Sequence, residues 1–161
     1  MHTSKRLFAL VTIALLGALL VPAIARAATI YVNSGVSGAK LGWNDVKAAK
    51  KLGRVVKGPI RDTEYGGKWW VRFFGKKSHG HYALELYSNS KHKVVAFVVN
   101  SSTYRTKKKI HVGSAITALK KAYGSSLHES SDNYSLTAKS GNQTVFNFAK
   151  GKITSIWVWR I

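Results

Sequence analysis

The sequence predicts an α+β fold: two tandem helix-plus-three-strand repeats forming one antiparallel sheet with the helices on one face. Three observations lead to this expectation. Two glycine pairs, Gly42 with Gly53 and Gly113 with Gly124, are each eleven residues apart, and the second pair is offset from the first by 71. An apolar residue (Leu41, Leu52, Val112 and Tyr123) stands before every one of these glycines. Three strand-like runs follow each pair, separated by turn-forming segments.

The chain starts with a targeting pattern. Lys5 and Arg6 precede a run of 15 uncharged residues, Leu7–Val21, then Pro22 and the small-x-small sequence Ala25-Arg26-Ala27. A positive start, an apolar middle and this ending predict a secretory signal peptide over residues 1–27. The apolar run is short of the roughly 20 residues that span a bilayer as a helix. Cleavage after Ala27 gives an exported, extracytoplasmic chain of 134 residues with no transmembrane segment.

The first repeat is expected over residues 28–100. Thr29–Asn33 is an additional edge strand. A helix over about 43–52 follows, with Asn44 as its cap, Val46, Ala49 and Leu52 as its inner side, and Gly53 as its stop. Strands are expected over about 68–74, 82–87 and 94–99. The connector and second repeat occupy residues 101–161, with a polar, basic linker over Ser101–Lys109. The second helix spans about 114–123, with Ser114 as its cap, Ile116, Leu119 and Tyr123 inward, and Gly124 as its stop. Its strands are expected over about 134–139, 144–148 and 153–159, joined by turns at Ser140-Gly141-Asn142 and Lys150-Gly151-Lys152.

Composition limits the possible functions. The 161 residues include 26 Lys plus Arg against 6 Asp plus Glu, a formal charge of +20. The exported part keeps 23 basic against 6 acidic residues, or +17, so the charge belongs to the folded chain. With 45% hydrophobic residues the chain has enough apolar content for one core. It has no cysteine, which excludes disulfides, a thiol nucleophile and thiolate metal sites. The charge points to an anionic partner. Lysine dominates it, which suits a diffuse positive surface better than bidentate recognition of one group.

Strand alternation assigns faces. Arg72 is read as facing solvent, which turns Trp69, Val71 and Phe73 toward the helices and Trp70, Arg72 and Phe74 to the open side. Leu84, Leu86, Phe146, Phe148, Ile156 and Val158 point inward, and Glu85, Tyr87, Asn147, Trp157 and Trp159 outward. The expected binding face is therefore Trp70, Arg72, Phe74, Tyr87, Trp157 and Trp159. Aromatic residues with arginine are the usual anchors of an interface. The same residues would be core if a second layer covered the face. A basic surface is expected from Lys47, Lys50, Lys51 and Arg54 on the first helix, Lys107, Lys108 and Lys109 in the connector, and Lys120 and Lys121 on the second helix.

The glycine–helix–glycine unit followed by antiparallel strands, ending in Gly151-Lys152-Ile153-Thr154-Ser155-Ile156, resembles the β-lactamase inhibitor protein fold. It is similar also to the single unit of the small outer-membrane assembly lipoproteins. The likeness runs from about Leu41 to Trp159. It implies a continuous sheet from two repeats, helices on one face and an open face able to hold a partner. The chain lacks the inhibitor's disulfide cysteines and the lipoproteins' lipidated cysteine. Its charge also differs from the inhibitor's, and β-lactamase inhibition is not carried over.

Catalytic patterns are missing. There is no Gly-x-Ser-x-Gly elbow and no phosphate-binding loop. The nearest carboxylates in sequence, Asp62 and Glu64, read as solvated. His79-Gly80-His81, with distant His92, reads as a solvated loop flanked by lysines and not as a metal centre. No catalytic residue, metal or cofactor is expected. The expected function is a secreted, non-enzymatic binding module. Its partner would be an envelope or extracellular protein, or an anionic wall polymer or lipid headgroup. The alternatives are an inhibitor of an extracellular enzyme and an extracellular nucleic-acid binder.

Overall fold

The computed structural model describes residues 28–62 and 69–160. The expected signal peptide and Lys68, the start of one expected strand, lie outside these residues. The elements run β1 (Ala28–Tyr31), β2 (Gly35–Val36), β3 (Ala39–Lys40), α1 (Asp45–Leu52), β4 (Val55–Asp62), β5 (Trp69–Ser78), β6 (His81–Ser88), β7 (Val94–Val99) and β8 (Tyr104–Thr106). They continue with α2 (Ile116–Tyr123), a 3-10 turn at Gly124–Ser126, β9 (His128–Glu129), β10 (Asn133–Thr137), β11 (Gln143–Ala149) and β12 (Lys152–Trp159).

The expected single sheet of two helix-plus-three-strand repeats is overturned. The described residues are mostly strand and form two sheets. The larger has eight strands in the order β4-β5-β6-β7-β12-β11-β10-β9, and the smaller four in the order β3-β2-β1-β8. Strand β1, expected at an edge of the main sheet, belongs to the small one, where it pairs parallel with β8. Strand β8 itself arises inside the stretch read as a polar connector. These strands of two to four residues are too short for alternation to appear in sequence. Strand β4 is not among the expected strands, and it contains Gly58 and Pro59. As the edge of the large sheet it tolerates both, and its residues are mostly exposed.

The helices start and stop for local reasons. In α1 the Asn44 Oδ1 accepts from the backbone N–H groups of Val46 at 3.0 Å and Lys47 at 3.3 Å. In α2 the expected cap is displaced: Ala115 holds the capping position without a side-chain bond, and the Ser114 Oγ accepts from His111 N at 3.0 Å. Gly53 (φ 102, ψ −150) and Gly124 (φ 53, ψ −134) end the helices in backbone conformations that side-chain-bearing residues avoid. Both segments leading into the helices are stitched to the large sheet. Gly42 N–H donates to Val94 O and Gly113 N–H to Ile153 O, each at 2.8 Å.

The main core lies between the large sheet and a layer made of both helices and the small sheet. Ile30, Val36 and Ala39 from the small sheet and Ala48 and Leu119 from the helices meet Leu84, Leu86, Phe97, Phe146, Ile156 and Val158. All eleven are fully buried. Val46, expected inward on α1, is 50% exposed, whereas the neighbouring Asp45 is buried. The β7–β12 pairing sets Ile156 against Val99 and Val158 against Phe97. This seam joins the two halves of the chain at the centre of the sheet, where burial is deepest.

Candidate functional site

A second apolar cluster lies on the sheet face away from the helices. Val71, Tyr87, Ala96 and Val98 are buried there beneath Trp69, Phe73, Trp157 and Trp159, which stay half-buried. The Trp69 and Tyr87 rings meet edge-on with centroids 6.0 Å apart, and Phe73 and Tyr82 lie tilted at 4.8 Å. Such contacts add to area burial and hold each ring in one orientation.

Half of the expected binding residues lie here and half do not. Tyr87, Trp157 and Trp159 are on this face as expected. Trp70, Arg72 and Phe74 are a correction: β5 is turned the other way. Phe74 is 2% exposed and belongs to the main core. The Arg72 Nη2 donates to the Asp45 Oδ2 of α1 at 2.8 Å, and Trp70 shares its side of the strand by alternation. The cause is the register of β5 on β6, which sets Arg72 opposite Leu86 and Val71 opposite Tyr87. Trp69-Trp70-Val71-Arg72-Phe73-Phe74 is apolar on both parities apart from one charge. That charge is expected in solvent, whereas it is buried against a carboxylate 27 positions earlier. Trp69 and Phe73 are the residues the sequence reading missed. The only signal that would have found them is the Asp45–Arg72 pairing.

Where Tyr87, Val98 and Trp157 of this cluster reach its border, the sheet face forms a hollow of about 590 Å³. Its floor is made by Glu85, Tyr87, Val98, Ser155 and Trp157. Its rim comes from the β5–β6 hairpin, with His79 and His81, and from Lys152 across the sheet. Glu85 is only 8% exposed. Its Oε2 accepts from the Tyr87 hydroxyl at 2.8 Å and its Oε1 from Asn100 Nδ2 at 3.2 Å. Trp157 is held by its Nε1–H donating to Ser155 Oγ at 3.2 Å, and Trp159 by the same bond to Gln143 Oε1 at 3.2 Å. A bulge where β11 passes Asn147 and Phe148 leaves Asn147 opposite Ser155, and the Asn147 Nδ2 donates to Ser155 Oγ at 2.9 Å.

The expected basic residues lie away from this hollow. Lys47, Lys50, Lys51, Arg54, Lys107, Lys108, Lys109, Lys120 and Lys121 are all exposed, on the helices, just past the end of α1 and in the connector. Several rest over aromatic rings: Lys47 lies 4.4 Å from the centre of Trp43, Lys108 4.7 Å from Tyr123 and Lys120 5.0 Å from Tyr134. The Tyr134 hydroxyl donates to the Glu129 carboxylate, and Lys120 approaches the same group at 3.4 Å. The Tyr134 hydrogen bond is the main reason the Glu129 carboxyl titrates below its ordinary 4.5, helped by the Lys120 charge and opposed by desolvation. Among the described residues no cluster of three or more His, Cys, Asp or Glu is arranged to hold a metal ion. None of their helices is long and apolar enough to cross a membrane.

No family model and no curated protein matches this sequence. Two solved structures resemble its backbone. One is an extracellular protein containing an SCP domain from Bacillus anthracis str. Ames, at TM-score 0.53 and 12% identity, covering 74% of this chain and 43% of that one. The other is the uncharacterized protein YfeY from Escherichia coli, at TM-score 0.43 and 14% identity, covering 80% of this chain and 95% of that one. The first likeness is one of fold alone, and this chain spans less than half of that neighbour's length.

Proposed function

We propose that this protein is an exported, non-enzymatic binding module that engages a surface-associated partner through the aromatic face of its large sheet. One observation carries the reading. Trp69, Phe73, Trp157 and Trp159 stay half-buried over a packed layer, and Trp157 also lines a hollow with the hydrogen-bonded carboxylate of Glu85. Rigid, partly exposed aromatic side chains supply contact area at little entropic cost. Export is supported by the N-terminal sequence pattern and by the description of one structural neighbour as an extracellular protein. The lysines on the helical side serve as a second, diffuse contact that holds the protein near an anionic surface. Inhibition of an extracellular enzyme rests on the family resemblance alone, and no feature of the face favours it.

The test is binding to isolated envelope and medium fractions of the producing cell at low and high salt. The Trp69→Ala, Trp159→Ala variant should lose binding under both conditions. Exchanging Lys47, Lys50 and Lys51 for glutamate should remove only the salt-sensitive part. Full binding by the tryptophan variant would refute the sheet-face mechanism.

A further inference from the structure

The hollow on the aromatic face has an ordered polar pattern. Asn100 Nδ2 donates to Tyr82 O at 3.1 Å and to Glu85 Oε1 at 3.2 Å. Two acceptors fix the amide's orientation and occupy both its N–H groups, which leaves its Oδ1 carbonyl to accept. Ser155 Oγ accepts from Trp157 Nε1 and Asn147 Nδ2, which leaves its O–H to donate. One acceptor and one donor therefore flank the rings of Trp157 and Tyr87, all lining a single cavity.

A second hollow, of about 620 Å³, adjoins the first and shares Ser78, His81, Asn100 and Val112 with it. Its character differs: Lys76, Lys77, Ser102 and Thr103 line it. The two together accept a ligand longer than one ring, neutral and ring-shaped at one end and acidic at the other. A pyranose matches the first hollow, because it pairs a C–H face that packs on an aromatic ring with hydroxyls that both donate and accept at its rim. A peptide added as a strand would need an open sheet edge, and this site lies on the face.

We infer that the paired hollows are a saccharide subsite for an anionic glycan. One sugar ring packs at Trp157 between Asn100 and Ser155, and an acidic substituent further along is held by Lys76 and Lys77. This inference rests on the sheet-face reading above and names its ligand class.

The test uses four probes at physiological salt: a short hyaluronan oligosaccharide, the neutral chitin oligosaccharide of equal length, polyglutamate and oligothymidylate. Tryptophan fluorescence and calorimetry follow binding. Hyaluronan should bind more tightly than the chitin oligosaccharide, and the two polyanions without a pyranose should bind weakly and respond alike to every variant. Trp157→Ala should weaken both sugars about tenfold or more, and Trp157→Phe, which keeps a ring, should recover much of the loss. Asn100→Ala and Ser155→Ala should weaken both sugars. Lys76→Glu with Lys77→Glu should erase only the preference for the acidic one. The inference is overturned if neither oligosaccharide binds, if Trp157→Ala leaves oligosaccharide binding unchanged, or if polyglutamate or oligothymidylate binds as well as hyaluronan. Envelope binding that needs Trp69 and Trp159 without any sugar binding would overturn the ligand class and leave the sheet-face reading standing. Sugar binding that persists where the Trp69, Trp159 variant keeps full envelope binding would do the reverse.

Discussion

Arg72 and Asp45 form a buried ion pair that ties β5 to α1. Asp45 is 1% exposed and Arg72 9%, and their atoms meet at 2.8 Å. Ser88 Oγ adds a donor to the same carboxylate oxygen at 3.2 Å, and His92 Nδ1 stands at 3.5 Å. The match is incomplete, because Asp45 Oδ1 and Arg72 Nε are buried without a hydrogen-bond partner among the described residues. Removing one member leaves the other's charge stranded in the interior. Arg72→Met should therefore cost about 3–5 kcal/mol in urea unfolding, and Arg72→Met with Asp45→Leu should recover most of it. Glu129 behaves differently because it sits at the surface. Its carboxyl titrates below the ordinary 4.5, so its contribution is present above that pH and fades as pH falls through the lower, folded value. The difference in melting temperature between the native protein and Glu129→Gln should thus be present near neutrality and vanish in strong acid.

At the level of elements, the two helices were legible from glycine spacing and the pattern of apolar residues, within one or two residues at each end. Their capping was legible once. Asn44 caps α1, so Asn44→Ala should lower stability by about 1 kcal/mol in denaturant unfolding. Ser114 turns its hydroxyl back to His111 instead, and α2 starts without a side-chain cap. The long strands β6, β11 and β12 alternate clearly, and the faces of Leu84, Phe146 and Trp157 follow from that alternation. Strand β5 defeated the same rule because it is apolar on both parities, so its face depended on where one arginine goes. Strands β1 to β3, β8 and β9 have two to four residues, less than one full alternation in most cases, and only their partners define them. The aromatic site inherits this division. Trp157 and Trp159 were found by parity, whereas Trp69 and Phe73 required the β5–β6 register.

Across the whole molecule, charge and aromatic surface are largely separated. The lysine clusters of the helices and connector lie on the covered side of the large sheet, and the partly exposed tryptophans lie on the other. A formal charge of +20 with so few acids repels itself. Added salt screens that repulsion beyond about 10 Å at 0.1 M, so the melting temperature should rise by a few degrees from low to moderate salt, as calorimetry would show. The fold resists by the depth of its central seam. Ile156 is fully buried beside Phe97 and Val99, and Ile156→Ala should cost about 2–5 kcal/mol in urea unfolding. The sequence by itself determined the excess of positive charge, the absence of cysteine chemistry, both helices and the faces of the alternating strands. Each of these is a matter of composition or of local periodicity. Only the tertiary structure decided that there are two sheets, that β5 turns Arg72 inward, and that Asn100, Ser155 and Trp157 line one hollow. Those outcomes depend on contacts between residues far apart in the chain, and no local pattern records which distant partner a strand or a buried charge will find.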